Sequence, residues 1–456
     1  MNDTICALAT APGGALGIIR ISGAQSLEIL SRIFSKDLTQ APANTIHYGH
    51  IVATTPVGSA TTPAGFPAGP IDEVLVSVFR APHSYTGEDS AEISCHGSRY
   101  ILNKVLELLV QNGCRMANPG EYTMRAYLNG KMDLSQAEAV ADLIASSNQA
   151  THQLAMSQLR GGISTQLSSL REQLLKLTSL LELELDFSDH EDLEFADRTE
   201  LTDIANKINK HITQLSHSFE VGQAIKQGIP VAIIGKTNVG KSTLLNRLLR
   251  EDRAIVSNIH GTTRDTIDLQ GVTFRFIDTA GIRQTTDQVE QIGIERTFAA
   301  IDKARIVIWM VDEKPTQEEL AKINKLTENK QLIIVRNKID KAESEPFTIV
   351  KIPLIEISAK HNQHIDQLEQ AIYQAANIPA LSDADIIVTN ARHHEALCRA
   401  QAHLQRVIDG LHQEVSGDLL SEDLRLTLDT LAEITGGQIT PNEVLGNIFT
   451  NFCVGK

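Results

Sequence analysis

The stretch Gly235-Lys236-Thr237-Asn238-Val239-Gly240-Lys241-Ser242 decides how this chain is read. It follows the apolar run Val231-Ala232-Ile233-Ile234 and opens the segment Ser242-Thr243-Leu244-Leu245. A strand, a glycine-rich turn and a helix thus succeed one another, which is the context that G-x-x-x-x-G-K-S needs to be a phosphate cradle. The glycines let the backbone curl so that its N–H groups face phosphates, and the helix N-terminus adds partial positive charge. Asn238, Val239, Gly240, Lys241, Ser242 and Thr243 are the residues offered to a nucleotide here. Lys241 suits the β/γ phosphates, and the Ser242 hydroxyl suits Mg²⁺.

Three further pieces follow, each at the end of an apolar run. Asp278-Thr279-Ala280-Gly281 closes VTFRFI; its aspartate can hold the metal through water and its glycine N–H can sense a γ-phosphate. Asn337-Lys338-Ile339-Asp340 closes LIIVR. A carboxylate at Asp340 accepts two N–H bonds from guanine, which adenine cannot offer. Ser358-Ala359-Lys360 follows LIEI and can set a backbone N–H on the guanine carbonyl. Between the first two motifs, Gly261-Thr262-Thr263-Arg264-Asp265 supplies Thr263 as a switch hydroxyl for Mg²⁺. This order predicts a guanine-nucleotide-binding P-loop GTPase. Ile282 stands where Ras-like GTPases place the glutamine that orients water, so another group must serve; Gln284, Asp287 and Glu290 are the candidates.

At 456 residues the chain exceeds one ordinary core and suits three units. Residues 1–120 read as mixed α and β, with strands at Leu16–Ile21 and Val74–Phe79 and a helix around Tyr100–Val110. Thr54–Pro70 is a loop by composition. Residues 121–225 turn helical: Leu134, Ala137, Ala141 and Ile144 predict a helix from the cap Asp133 to near Gly161-Gly162, and Leu167 to Leu181 a second. Glu182–Asp197 is acidic and reads as a solvated loop. Residues 226–378 alternate strands and helices as a doubly wound parallel sheet does, and 379–456 are helical again. The expected class is multidomain α+β and α/β, with a Ras-like P-loop domain inserted into a helical one.

The start of the chain, MNDTICALATAPGG, lacks a basic region before an apolar stretch, and no run approaches the roughly 18 residues of a membrane span. Five scattered cysteines without a CxxC pair suit reduced thiols, and a cytoplasmic location is expected. The net charge of −15 opposes binding nucleic acid mainly through phosphate neutralisation. Any RNA-binding surface must therefore be local or supplied by another protein.

GKTNVGKS, GTTRD, DTAGIR and VEQIGIERT, with GEDSAEISCHG, PGEYTMRAYLNGKMDLSQAEAVADLI and the terminal FCVGK, together resemble the MnmE (TrmE) family of tRNA-modification GTPases over essentially the whole chain. The resemblance implies a folate-binding N-terminal domain that forms a homodimer, and a helical domain interrupted by the G domain. It implies action with an FAD-dependent partner protein, as a heterotetramer, adding an aminomethyl or carboxymethylaminomethyl group to carbon 5 of the wobble uridine of certain tRNAs. A tetrahydrofolate derivative, in the 5,10-methylene or 5-formyl form, is the implied cofactor. K⁺ is implied to stand in for an arginine finger, with Asn238, Ser257, Ile259 and Thr262 as its ligands and Glu290 orienting water. Arg20, Glu92, Lys131 and Lys456 match folate-contacting positions. Cys453 is a candidate for thiol chemistry on uridine and equally a packing cysteine, while His96 beside Cys95 reads as structural. One departure is Pro12-Gly13-Gly14-Ala15, where family members often carry an arginine. A regulatory switch in ribosome assembly or stress response is the competing class, which would have no use for the N-terminal motifs or FCVGK.

Overall fold

The computed structural model describes residues 3–52, 70–186, 198–249, 266–277, 298–341, 354–378, 386–437, 448–449, 452 and 455. Its contacts divide the chain into two compact units, Met1–Ala141 with Leu431–Lys456, and Asp142–Thr430.

In the first unit, strands β1 (Ile5–Leu8), β2 (Leu16–Ser22), β3 (Thr45–Ile51), β4 (Asp72–Phe79), β5 (Ser90–His96) and β6 (Arg115–Met116) form one sheet in the order β3-β4-β5-β2-β1-β6. The pairs are antiparallel except β1–β6. Alternation places Val74, Val76 and Val78 on one face and Glu73 and Leu75 on the other. Helices α1 (Ser26–Ile33) and α2 (Arg99–Gln111) cover the valine face with Leu27, Leu30, Ile33, Leu102, Val105 and Leu109. Full burial of each such side chain stabilises by about 1.5–3 kcal/mol. The two expected strands and the helix are therefore present within a residue or two.

Helices α3 (Glu121–Leu128) and α4 (Leu134–Ala145) follow. Phe449 and Phe452 of the chain's end pack on Leu134 and Ala137. Gly120, at φ +66°, lies so close that a Cβ there would meet the Phe449 carbonyl oxygen at 2.7 Å. An ion network centres on two buried residues of α3, Glu121 and Arg125. Arg125, 1% exposed, reaches Asp3 Oδ1 at 2.8 Å, Glu121 Oε1 at 3.0 Å and Glu88 Oε1 at 3.2 Å. Arg115 joins Glu121 at 2.6 Å. Three stretches far apart in sequence are thus tied by charge.

The second unit differs from expectation at its start. The helix beginning at Leu134 stops at Ala145, and a separate α5 (Gln149–Leu159) runs on to the glycine pair. The cause is Asn148: its side chain accepts from the Thr151 N–H at 2.8 Å while Thr151 Oγ1 accepts from the Asn148 N–H, a reciprocal cap that favours a helix start over a helix interior. Helix α6 (Gly162–Asp186) buries Leu167, Leu170, Leu174, Leu177 and Leu181 as expected, but it also takes in Glu182 to Asp186, the front of the supposed loop. The rest of that loop, 187–197, lies outside the described residues, as do residues 54–69 of the other expected loop.

After α7 (Arg198–Gln227) come β7 (Ile229–Gly235), α8 (Lys241–Leu248), β8 (Thr266–Leu269), β9 (Val272–Phe276), β10 (Ile306–Val311), α9 (Gln317–Leu326), β11 (Gln331–Arg336), β12 (Leu354–Glu356) and α10 (Ile365–Ala375). The sheet order is β12-β11-β10-β7-β9-β8, parallel except β8–β9. Every residue of β10 is buried, as a central strand covered on both faces must be. Among the described strands of this sheet, β8, short and at an edge, has no counterpart among the apolar runs read from the sequence. Helices α11 (Ala391–His412) and α12 (Gly417–Thr435) follow. α11 lies along α7: His394 stacks on Phe219 with centroids 4.3 Å apart, and Gln401 Nε2 donates to Thr213 Oγ1 at 2.7 Å. The helices before and after the α/β sheet therefore pack together, with the sheet inserted between them in sequence.

Candidate functional site

The glycine-rich turn joins the end of β7 to the start of α8. Gly235, at φ +146°, passes so near β10 that a Cβ would strike the Met310 carbonyl oxygen. Gly240, at φ +102°, would strike the Asn337 side-chain amide in the same way. Asn238 also takes a left-handed conformation, at φ +61°. The result is a curled backbone capping α8, a cradle suited to anionic oxygens. Lys241 Nζ lies within this curl, donating to the carbonyls of Gly235 at 2.7 Å and Lys236 at 2.6 Å. Burial lowers the pKa of Lys241, so an anion held beside it would restore what the ammonium loses in leaving water.

The NKxD and SAK turns are built against this cradle. Asn337, 4% exposed, donates from Nδ2 to the Val239 carbonyl at 2.7 Å and accepts at Oδ1 from the Ala359 N–H at 3.0 Å. It is a strut between the phosphate turn and the base-side turn. Asp340 Oδ1 accepts from Ser358 Oγ at 2.6 Å, and that bond is the main reason its pKa is lowered. An ionised Asp340 is what two N–H donors on a guanine edge require. Lys338 Nζ is paired to Asp312 at 2.8 Å. Arg247 of α8 holds the SAK turn from below, donating to the carbonyls of Ala359 at 3.2 Å and Lys360 at 2.9 Å. Sequence reasoning missed Met310, Asp312 and Arg247, because a backbone contact and two cross-element bonds leave no local pattern.

Ser257, Ile259, Thr262, Thr263, Asp278, Thr279, Ala280, Gly281 and Glu290 lie outside the described residues. So do Cys453 and Lys456.

In the N-terminal unit the structure brings Arg20 and Glu92 together across the β2–β5 register. Arg20 Nε and Nη2 donate to Glu92 Oε1 at 2.9 and 2.6 Å. The guanidinium lies 5.6 Å from the ring centres of both Tyr85 and Tyr122, and its Nη1 reaches the Gly455 carbonyl at 3.1 Å. Tyr122 was in view only as part of a motif; Tyr85 carried no signal. Burial raises the Tyr85 phenol's pKa, so it stays protonated as a donor. A cavity of about 80 Å³ opens here, lined by Arg20, Phe79, Tyr85, Glu92 and Tyr122 among others. Charged groups beside aromatic faces suit a flat heteroaromatic ring with polar edges. Lys131 does not line it; its Nζ donates to the Pro82 carbonyl at 2.9 Å. His96 is bonded to Asp72 at 2.7 Å, and burial pushes the neighbouring Cys95 thiol up to about 12, in keeping with a structural pair.

A family model described as the MnmE helical domain matches residues 134–453. The chain belongs to the MnmE family. A second model, described as the GTP-binding protein TrmE N-terminus, matches residues 4–131. The tRNA modification GTPase MnmE of Phocaeicola vulgatus is 56% identical over 497 residues, covering 100% of this chain and 99% of its own. Those of Bacteroides thetaiotaomicron and Christiangramia forsetii are 54% and 48% identical, each covering 100% of both chains. The chain thus combines the family's N-terminal domain, its helical domain and a P-loop GTPase-like domain inside the helical span. No helix among the described residues is long and apolar enough to cross a membrane.

Proposed function

We propose that this protein is a GTPase that acts in tRNA wobble-uridine modification, working with an FAD-dependent partner protein to add an aminomethyl-type group at carbon 5. The observation that carries this reading is the presence, in one chain of this family, of a curled backbone cradle around a buried lysine and a separate Arg20–Glu92 aromatic pocket. A plain nucleotide switch has no use for the second.

In the nucleotide site, Asn238 to Thr243 bind the phosphates and Asp340 selects guanine, with the Ser358–Lys360 turn completing base recognition. The cradle that a Cβ at Gly235 or Gly240 would fill, and the buried Lys241, support a polyphosphate ligand. Ser242 and Thr263 would hold Mg²⁺, and Asn238, Ser257, Ile259 and Thr262 would hold K⁺; both ions supply positive charge to the phosphate oxygens. Glu290 orients the attacking water in place of the missing glutamine. In the N-terminal pocket, Arg20 and Glu92 match the anionic and pterin groups of a tetrahydrofolate derivative. Lys131, which lies outside the cavity's lining, and Lys456 are the further candidate contacts, and the chain works as a homodimer.

The test is mass analysis of wobble nucleosides from a deletion strain carrying this protein. Restored C5-modified uridine is expected, and its absence would remove the reading. GTPase rates in KCl and NaCl test the cation assignment separately. A rate several-fold higher in K⁺, abolished by Asn238→Ala, is expected; equal rates would reject it.

A further inference from the structure

From Leu143 to Arg171 the sequence holds no Asp or Glu, in a chain whose net charge is −15. The segment is instead dense in Ser, Thr, Asn and Gln, with His152, Arg160 and Arg171 as its basic groups. It builds the elbow between α5 and α6, and the elbow carries an open groove of about 460 Å³. His152, Met156, Ser157, Arg160, Gly162 and Thr165 line it, and no carboxylate among the described residues does. Gly162 keeps the groove's wall thin: a Cβ there would press on Ser157 O at 3.1 Å and Oγ at 3.2 Å.

We infer that this groove is a contact surface for the phosphodiester backbone of RNA. This rests on the tRNA reading above and deepens it by naming a site on this chain. A phosphate in the groove would pair with the Arg160 guanidinium, whose planar fork fits two phosphate oxygens. The Ser157 hydroxyl can donate to the same group. Thr165 Oγ1 already donates to the Gly161 carbonyl at 3.0 Å, which leaves its lone pairs to accept from a ribose 2′-hydroxyl. Met156 offers apolar surface to a sugar or base face. Hydroxyls and a few cations without carboxylates are the set that sugar–phosphate contacts use. An acidic protein segment could exploit Arg160 alone, but it would leave the hydroxyl-rich walls without a purpose. A net charge of −15 opposes broad phosphate contact, so a local acid-free groove also sets the register of docking.

The experiment is fluorescence anisotropy of a labelled tRNA transcript titrated with the full-length chain across a salt series. Arg160→Glu is compared with wild type, with Ser157→Ala/Thr165→Val as a charge-neutral second variant. Arg160 is exposed, so melting temperature and basal GTPase rate should not move. Arg160→Glu should weaken binding about five- to tenfold or more at about 0.1 M salt and reduce the salt slope by about one. The hydroxyl variant should weaken binding two- to fivefold with the slope unchanged. Wild-type affinity and slope in Arg160→Glu would overturn the inference while leaving the tRNA reading intact. No measurable binding by the wild-type chain would also overturn it; wobble-nucleoside analysis would then show separately whether the tRNA reading stands. Loss of protein-partner association with RNA binding intact would reassign the groove to a protein ligand and overturn it as well.

Discussion

Asn337→Ala is the sharpest test of how the nucleotide site is held together. The side chain is 4% exposed, and its amide spans from the Val239 carbonyl at 2.7 Å to the Ala359 N–H at 3.0 Å. Each hydrogen bond contributes a net stabilisation of about 0.5–1.5 kcal/mol, so the strut holds the two turns together by about 1–3 kcal/mol. Without it, nucleotide must order the turns itself. That corresponds to a GDP affinity lower by about 5- to 150-fold. Titration with a fluorescent GDP analogue reads this directly. Asn337→Asp should do no better: it keeps an acceptor for Ala359 but sets a carboxylate oxygen against the Val239 carbonyl. Gly240→Ala should give a similar loss by a different route, since its Cβ would strike the same amide. If Asn337→Ala binds GDP within twofold of wild type, the two turns are not coupled through this residue and the reasoning fails.

Arg125→Met should destabilise the N-terminal unit by about 3–5 kcal/mol, because Glu88 loses its cation and Glu121 keeps only Arg115; thermal melting with limited proteolysis checks this. Arg125→Lys should rescue little, since one ammonium cannot span three acceptor groups. Burial acts to raise the Glu121 pKa, but the bonds from Arg115, the Asn118 N–H and Arg125 outweigh it, and the net shift is down from the usual 4.5. A depressed carboxyl stabilises the fold above its unfolded pKa and loses that contribution as pH falls through the folded value. Acid unfolding of wild type should therefore steepen below about pH 4.5, and Glu121→Gln should flatten that limb. Arg20→Ala should abolish binding of a folate analogue, measured by fluorescence titration, because the guanidinium is the pocket's cation between Tyr85 and Tyr122. Intact folate binding in that variant would count against the pocket assignment.

Motifs with rigid local geometry were readable from the sequence. The turn from Gly235 to Ser242 needs left-handed backbone and close approach, which only certain residues supply, so its letters carry its shape. The valine run of β4, the leucine stripe of α6 and the apolar run of β7 were legible for the same reason: burial imposes a period of 2, of 3.6, or none. Asn148 shows where period misleads, because a cap competes with a helix interior and apolar spacing does not register it.

What only the tertiary structure decided is which distant groups meet. That Asn337 braces Val239 and Ala359 rather than facing outward, and that Arg125 gathers Asp3, Glu88 and Glu121, follow from chain crossings that no window of sequence contains. The flanking of Arg20 by Tyr85 and Tyr122 is of the same kind, as is its hold on Gly455. The sequence alone determined that phosphates are cradled and guanine selected, because those tasks are done by short contiguous turns. The second pocket was settled by packing, since its lining comes from elements that approach one another only once the core has formed.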